Sequence, residues 1–192
     1  MSKVSTCSES ISVLYGIEIC LLILNNRDYR VTNSKMSHMK EQNCIEAENL
    51  KPVFALIDEH FTYHAEREKV KRNIMDVLNA PQSLVSIDVN DVRDLFQRSR
   101  DIHTFEVSVD ADKENRIVLM MDQINKLSKC HEPYNRALIF FYFPEALPLL
   151  MDELRPFSDW IDSIPGEIII KWGMATHSTS NIRTIVALGY GI

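Results

Sequence analysis

Val85-Ser-Ile-Asp-Val-Asn-Asp-Val-Arg-Asp-Leu-Phe96 is the stretch in which an apolar segment turns into a new helix, with two carboxylates, Asp88 and Asp91, at the turn. Val89, Val92, Leu95 and Phe96 fall on one face of that helix. Asp88 or Asn90 can cap its free N–H groups, and Asp91 lies in its first turn, where negative charge is favoured. Taken alone, this pattern asks nothing more of the two aspartates than to start a helix.

The segment leading into the stretch is helical as well. Val70, Ile74, Val77 and Leu78 share one face, while Glu66, Glu68, Lys69, Lys71, Arg72 and Asp76 fill the other. The helix should stop near Asn79-Ala-Pro81, because a residue that precedes proline is pushed out of the helical region.

The longer run Asn73-Ile-Met-Asp-Val-Leu-Asn-Ala-Pro-Gln-Ser-Leu-Val-Ser-Ile-Asp-Val-Asn-Asp-Val-Arg-Asp-Leu-Phe96 resembles the central helix, synergy loop and following helix of FtsZ, the bacterial relative of tubulin. The family's loop reads approximately Asn-Val-Asp-Phe-Ala-Asp-Val. This chain has Ser86-Ile-Asp-Val-Asn-Asp-Val92, which keeps both aspartates and replaces the asparagine by Ser86. Gly166-Glu-Ile-Ile-Ile-Lys-Trp-Gly173 and Ile182-Arg-Thr-Ile-Val-Ala-Leu-Gly189 look like the family's last two strands. The resemblance covers residues 66–192, and it lies in the order and spacing of short motifs. It implies a C-terminal domain of the FtsZ/tubulin type, with its central helix over residues 64–80.

Elsewhere the reading is of an ordinary globular chain. Its 192 residues suffice to bury one proper core, and 45% hydrophobic with 25% charged residues is usual for such a domain. A net charge of −6 and the lack of a long Lys/Arg cluster argue against a nucleic-acid partner. Cys7, Cys20, Cys44 and Cys130 are scattered without metal-type pairing, which fits a reducing, cytoplasmic setting. Residues 11–24 form the longest apolar run. It is too short for a span of about 20 residues and contains Glu18, so it reads as a buried strand or a short core helix and gives no membrane anchor. Asn25-Asn-Arg-Asp28 reads as a turn, and residues 32–49 as a loop or linker. The expected division is an N-terminal appendage or remnant over residues 1–50, partly irregular, and a domain over residues 51–192.

That domain begins with a helix from Pro52, carrying Val53, Phe54, Leu56, Ile57 and Phe61. His60 and His64 have the spacing of a two-histidine metal site, but zinc needs three or four ligands and no third is evident. The expectation is therefore no metal. Beyond the central loop, Ile102 to Val109 alternates as a strand, with His103, Phe105, Val107 and Val109 on one side. Asp110 or Asp112 can cap the helix of Ile117, Leu119, Met120, Met121, Ile124 and Leu127. Arg136-Ala-Leu-Ile-Phe-Phe-Tyr-Phe143 reads as a central strand covered on both faces, so Phe140 and Phe141, with Trp172 further on, should be buried. A helix with Leu147, Leu150, Met151, Leu154, Trp160 and Ile161 follows, bent or broken at Pro156. His177-Ser-Thr-Ser-Asn181 then links two closing strands, which can form a hairpin. The sum is an α/β fold with a mixed four-stranded sheet packed with helices.

The family resemblance also sets expectations about function. The FtsZ/tubulin family holds GTP in a separate N-terminal domain, through a loop like Gly-Gly-Gly-Thr-Gly-Ser-Gly, whose glycines let backbone N–H groups approach phosphate. The five glycines here, Gly16, Gly166, Gly173, Gly189 and Gly191, form no such cluster. The expectation is a chain without GTP, cofactor or catalysis of its own, lacking the family's nucleotide domain and its C-terminal linker. In the family the synergy-loop aspartates act on the GTP of the neighbouring subunit. The resemblance thus implies a partner-contacting set of Ser86, Asp88, Asn90 and Asp91, with Asp88 and Asp91 offered in trans to FtsZ or an FtsZ/tubulin-like protein. The alternative is a stand-alone α/β module that binds itself or another protein and has no filament role. An independent enzyme has the least support, since no nucleophile–base or metal constellation stands in the sequence.

Overall fold

The computed structural model describes residues 47–80 and 85–191. The expectations for residues 11–24 and 25–28, for most of the 32–49 loop, and for Cys7, Cys20 and Cys44 lie outside them. Three helices come first: α1 (Ala47–His60), α2 (His64–Leu78) and α3 (Val89–Gln97). Helix α1 starts ahead of Pro52, so residues 47–49 are helical instead of part of a loop. The reason is Leu50, which is buried with Val53 and Ile57 and extends the apolar face back past the proline. In α2, Val70, Ile74, Val77 and Leu78 are buried as the spacing requires, and Asn79 ends the helix by donating to the Met75 carbonyl.

Strand β1 (Ser99–Asp110), helix α4 (Arg116–Lys129), strand β2 (Arg136–Pro144), a short 3-10 turn (Met151–Leu154), helix α5 (Arg155–Ser163) and strands β3 (Ile169–His177) and β4 (Asn181–Gly191) complete the order. The sheet runs β1-β4-β2-β3, with β2 and β3 parallel and β4 antiparallel to both of its neighbours. This is the α/β architecture with a mixed four-stranded sheet that the sequence pattern and the family resemblance both imply. The two closing strands do not form a hairpin, however: β2 lies between them, and residues 178–180 carry the chain across its end. The backbone of Glu145 donates to the His177 carbonyl where the chain leaves β2, beside that crossing.

Strand β2 sorts the core into two layers, because successive side chains of a strand point to opposite faces. Leu138, Phe140 and Tyr142 face α1, α2 and α3. Ala137, Ile139, Phe141 and Phe143 face α4 and α5. Phe140 and Phe141 are buried, whereas Trp172 is half-buried because β3 is an edge strand.

Two further expectations are corrected and a third is narrowed. Neither Asp110 nor Asp112 caps α4: Asp110 Oδ1 accepts the Asp112 N–H at 3.3 Å in a local turn, and Asn115 enters the helix with φ 58°, a left-handed conformation that asparagine tolerates. Of the bend or break expected at Pro156, the bend is absent and the break stands: the 3-10 turn over Met151–Leu154 gives way to α5 beside the proline, which is accommodated in the first turn, where its missing N–H has no partner to lose. Leu147 and Leu150 consequently stay exposed, and Phe157 takes the core position beside Trp160.

What holds residues 147–154 in place is Arg116, which is almost fully buried. Its Nε and Nη2 meet Glu153 Oε1 and Oε2, each at 2.7 Å, and it also donates to the carbonyls of Leu147 and Pro148. The hydrogen bonds from Arg116 hold the Glu153 carboxyl below its usual range. On the opposite face of the sheet, Arg183 of β4 reaches Asp76 of α2 at 3.1 Å, Glu106 of β1 at 3.1 Å and the buried Asn73 at 3.2 Å, while lying over the Tyr142 ring.

Candidate functional site

The loop before α3 is built from alternating residues. Ile87 is buried in the helical layer, while Ser86 and Asp88 on either side of it are exposed. One apolar anchor therefore fixes the height at which both polar neighbours stand.

Asp88 is the N-cap, which settles the choice between it and Asn90. Its backbone is extended, and its Oδ1 accepts the N–H groups of Asn90 at 2.7 Å and Asp91 at 2.9 Å. Asp91 returns the favour: its Oδ2 accepts the Asp88 N–H at 3.2 Å. This reciprocal arrangement satisfies donors that a helix start would otherwise leave free. Asn90 is exposed, and its side-chain oxygen accepts from Arg93 one turn later.

The loop is tied to the far edge of the sheet. Met174 of β3 donates its N–H to the Val85 carbonyl at 3.0 Å, and Lys171 Nζ lies 3.0 Å from Asp91 Oδ1. Gly173 makes this approach possible. A Cβ there would stand 2.8 Å from the Phe140 ring and 3.1 Å from the Val85 carbonyl, so a side chain would push the loop off the strand.

The four residues of the expected partner-contacting set thus come together, but not as equals. Ser86, Asp88 and Asn90 are exposed. Asp91 is half-buried and has both oxygens engaged, one in the capping box and one with Lys171. A carboxylate offered in trans needs an oxygen free of internal ion pairs, and Asp91, paired with Lys171, does not supply one. Asp88 has one oxygen, Oδ2, that no described residue engages.

The other end of α3 is held by His60, whose Nε2 lies 2.8 Å from the Phe96 carbonyl. A carbonyl only accepts, so Nε2 carries the proton, and it satisfies one of the carbonyls that a helix end leaves open. His60 is therefore a clamp between α1 and α3, while His64 is exposed. Among the described residues no three His, Cys, Asp or Glu side chains converge as a metal site would need. Asp94 bridges Arg98 and Arg136, which fastens α3 to the start of β2. Lys171, Gly173 and the Val85 carbonyl escape sequence reasoning. Of these only Gly173, a glycine inside a strand, gives a signal, since it marks close backbone approach.

Fold and site together define an α/β module in which a capped helix start is tied to the edge strand of the sheet. No family model matches the chain, and no curated protein matches it. Among solved structures it is similar to a point mutant of FtsZ from M. jannaschii, at 15% identity and a TM-score of 0.47, over 68% of this chain and 42% of that one. A protofilament form of TubZ from Bacillus thuringiensis serovar israelensis is similar at 11% identity and a TM-score of 0.48, over 70% of this chain and 38% of that one. CetZ2 from Haloferax volcanii, also a protofilament, gives 11% identity and a TM-score of 0.45, over 72% of this chain and 45% of that one. The chain spans about two fifths of the length of these proteins. These are partial likenesses in the path of the chain, and no activity, partner or family membership follows from them. No helix among the described residues is long and apolar enough to cross a membrane.

Proposed function

We propose that this chain is a protein-interaction module of FtsZ-like type, which caps or modulates filaments of FtsZ or an FtsZ/tubulin-like protein through its loop before α3. The observation that carries this reading is Asp88, an exposed carboxylate fixed by two backbone hydrogen bonds through one oxygen, with the other unengaged by any described residue. A carboxylate acts on a water or a partner donor only within hydrogen-bond reach, and a side chain already held in place loses little further freedom on contact. Ser86 and Asn90 flank it as polar contacts. Asp91 acts indirectly, by holding the Asp88 backbone and anchoring the loop to β3. The partner supplies the nucleotide and the rest of the shared site, in the cytoplasm, and this chain binds and hydrolyses no GTP by itself.

A specific observation favours a second reading, a stand-alone module without a filament role. The Asp91–Lys171 pair commits one of the two loop carboxylates to the fold itself. Co-sedimentation of the full chain with a polymerising FtsZ-type protein from the same cell separates the two. Pelleting that depends on polymer supports the first reading, and a chain that stays in the supernatant leaves the second.

A further inference from the structure

Strand β1 ends the sheet, and among the described residues it pairs with β4 alone. The Ala111 N–H donates to the Ser180 carbonyl at 3.2 Å, one step beyond the Asp110–Asn181 pair. Since bonded and unbonded residues alternate along an antiparallel ladder, the odd-numbered residues of β1 carry the bonds to β4. Ile102, Thr104, Glu106, Ser108 and Asp110 therefore turn their backbone N–H and C=O groups away from the sheet. From Ile102 to Ser108 this row is unpaired among the described residues, and such a row is a template for another strand.

The charges on this edge are asymmetric. Arg100, at one end, is exposed and has no partner among the described residues; it sits in the irregularity between Ser99 and Asp101, off the regular ladder with β4. Asp110, at the other end, is exposed; its carboxylate accepts the Asp112 N–H and its carbonyl the Lys113 N–H, each at 3.3 Å, and no described cation pairs with it. We infer that β1 pairs with β1 of a second copy of this chain, antiparallel about a two-fold axis at Phe105, giving a continuous sheet across a dimer. That register sets Ile102 opposite Ser108 and Thr104 opposite Glu106 as hydrogen-bonded pairs, and it brings Arg100 of each copy to Asp110 of the other. A two-fold axis makes every contact occur twice, so the complementarity is doubled. Moving the axis to Glu106 sets that carboxylate opposite itself, which is unfavourable. Moving it to Thr104 leaves Asp110 beyond the paired strands. Half-buried Phe105 meets its own copy at the axis, on the face shared with α4. The surface is distinct from the loop before α3, so the dimer and the filament contact stand or fall separately.

Sedimentation equilibrium of the full chain, with hydrogen exchange read on β1, tests the proposal. The wild type should dimerise, and the even-numbered amides of β1 should gain protection as concentration rises. Asp110→Arg and Arg100→Asp should each weaken the dimer by at least about tenfold, because each sets like charges together at both ends. The double variant Arg100→Asp/Asp110→Arg should restore it, and this rescue distinguishes a contact from a folding defect. A wild-type chain that stays monomeric overturns the proposal, including a monomer whose β1 edge is already protected by another part of the chain. So does a dimer indifferent to the single variants or not rescued by the double.

Discussion

Lys171 Nζ of β3 lies 3.0 Å from Asp91 Oδ1 in the first turn of α3, so an edge strand and a helix start are joined by one ion pair. The lysine side chain is about half exposed, and such a pair is worth at most about 1 kcal/mol. Lys171→Ala should therefore shift the unfolding free energy by less than about 1 kcal/mol. Asp91→Ala should cost more, about 1–2 kcal/mol, because it removes the capping box as well. Denaturant titration of the two variants checks the order; a reversed order would mean that the pair, and not the cap, holds the loop.

Gly173 is the position at which the loop touches the sheet. Gly173→Ala drives a methyl group into the Phe140 ring and the Val85 carbonyl, and should destabilise the fold by about 1–3 kcal/mol. Faster hydrogen exchange at Met174 should accompany the loss, since its amide is the one bonded to Val85. Unchanged stability and exchange would mean that the approach is looser than the geometry states.

Phe141 is 1% exposed, packed edge-on against Phe157 between the sheet and α5. Phe141→Ala should cost about 3–5 kcal/mol by thermal or chemical unfolding. A midpoint equal to that of the wild type would contradict the burial of β2 on both faces.

Glu153 carries a pH prediction. Its folded pKa is depressed below the ordinary 4.5 by the Arg116 hydrogen bonds. The unfolded state therefore binds the proton first as pH falls, and stability rises with pH across that window. The contribution is complete above the unfolded value and is lost as pH falls through the depressed folded value. Glu153→Gln should remove this part of the pH dependence. At neutral pH it should also cost about 3 kcal/mol, because the nearly buried Arg116 loses its counter-charge. Parallel pH–stability curves for the two proteins would show that the pair contributes nothing to the linkage.

The sequence shows the elements more clearly than their arrangement. Apolar spacing marks the faces of α2 and α3, and the unbroken run from Ala137 to Phe143 marks a central strand, because burial dictates both patterns directly. Spacing carries no record of which strand pairs with which, so a short link between β3 and β4 reads as a hairpin although β2 intervenes. The cap at Asp88 was legible as one of two choices. The engagement of Asp91 was not, since Lys171 is about 80 residues away along the chain and looks like any solvated charge. Arg116 was hidden for the same reason: an arginine at a helix start gives no sign in sequence that it is buried against Glu153. Pro52 and Pro156 misled for different reasons: Pro156 falls in the first turn of α5, where its missing donor has no partner to lose, whereas Pro52 lies inside α1, which the burial of Leu50, Val53 and Ile57 keeps helical through the proline.

The GTPase rate of a polymerising FtsZ-type partner, measured against increasing amounts of wild-type chain, Asp88→Ala and Asp88→Asn, tests the proposed function most directly. The wild type should change the rate in proportion to occupancy. Asp88→Asn keeps a side-chain oxygen for the cap and should lose the effect with little change in stability, and Asp88→Ala should lose it at a further cost of about 1 kcal/mol from the missing cap. Three superimposable rate curves would contradict the account and leave Asp88 as a helix cap alone.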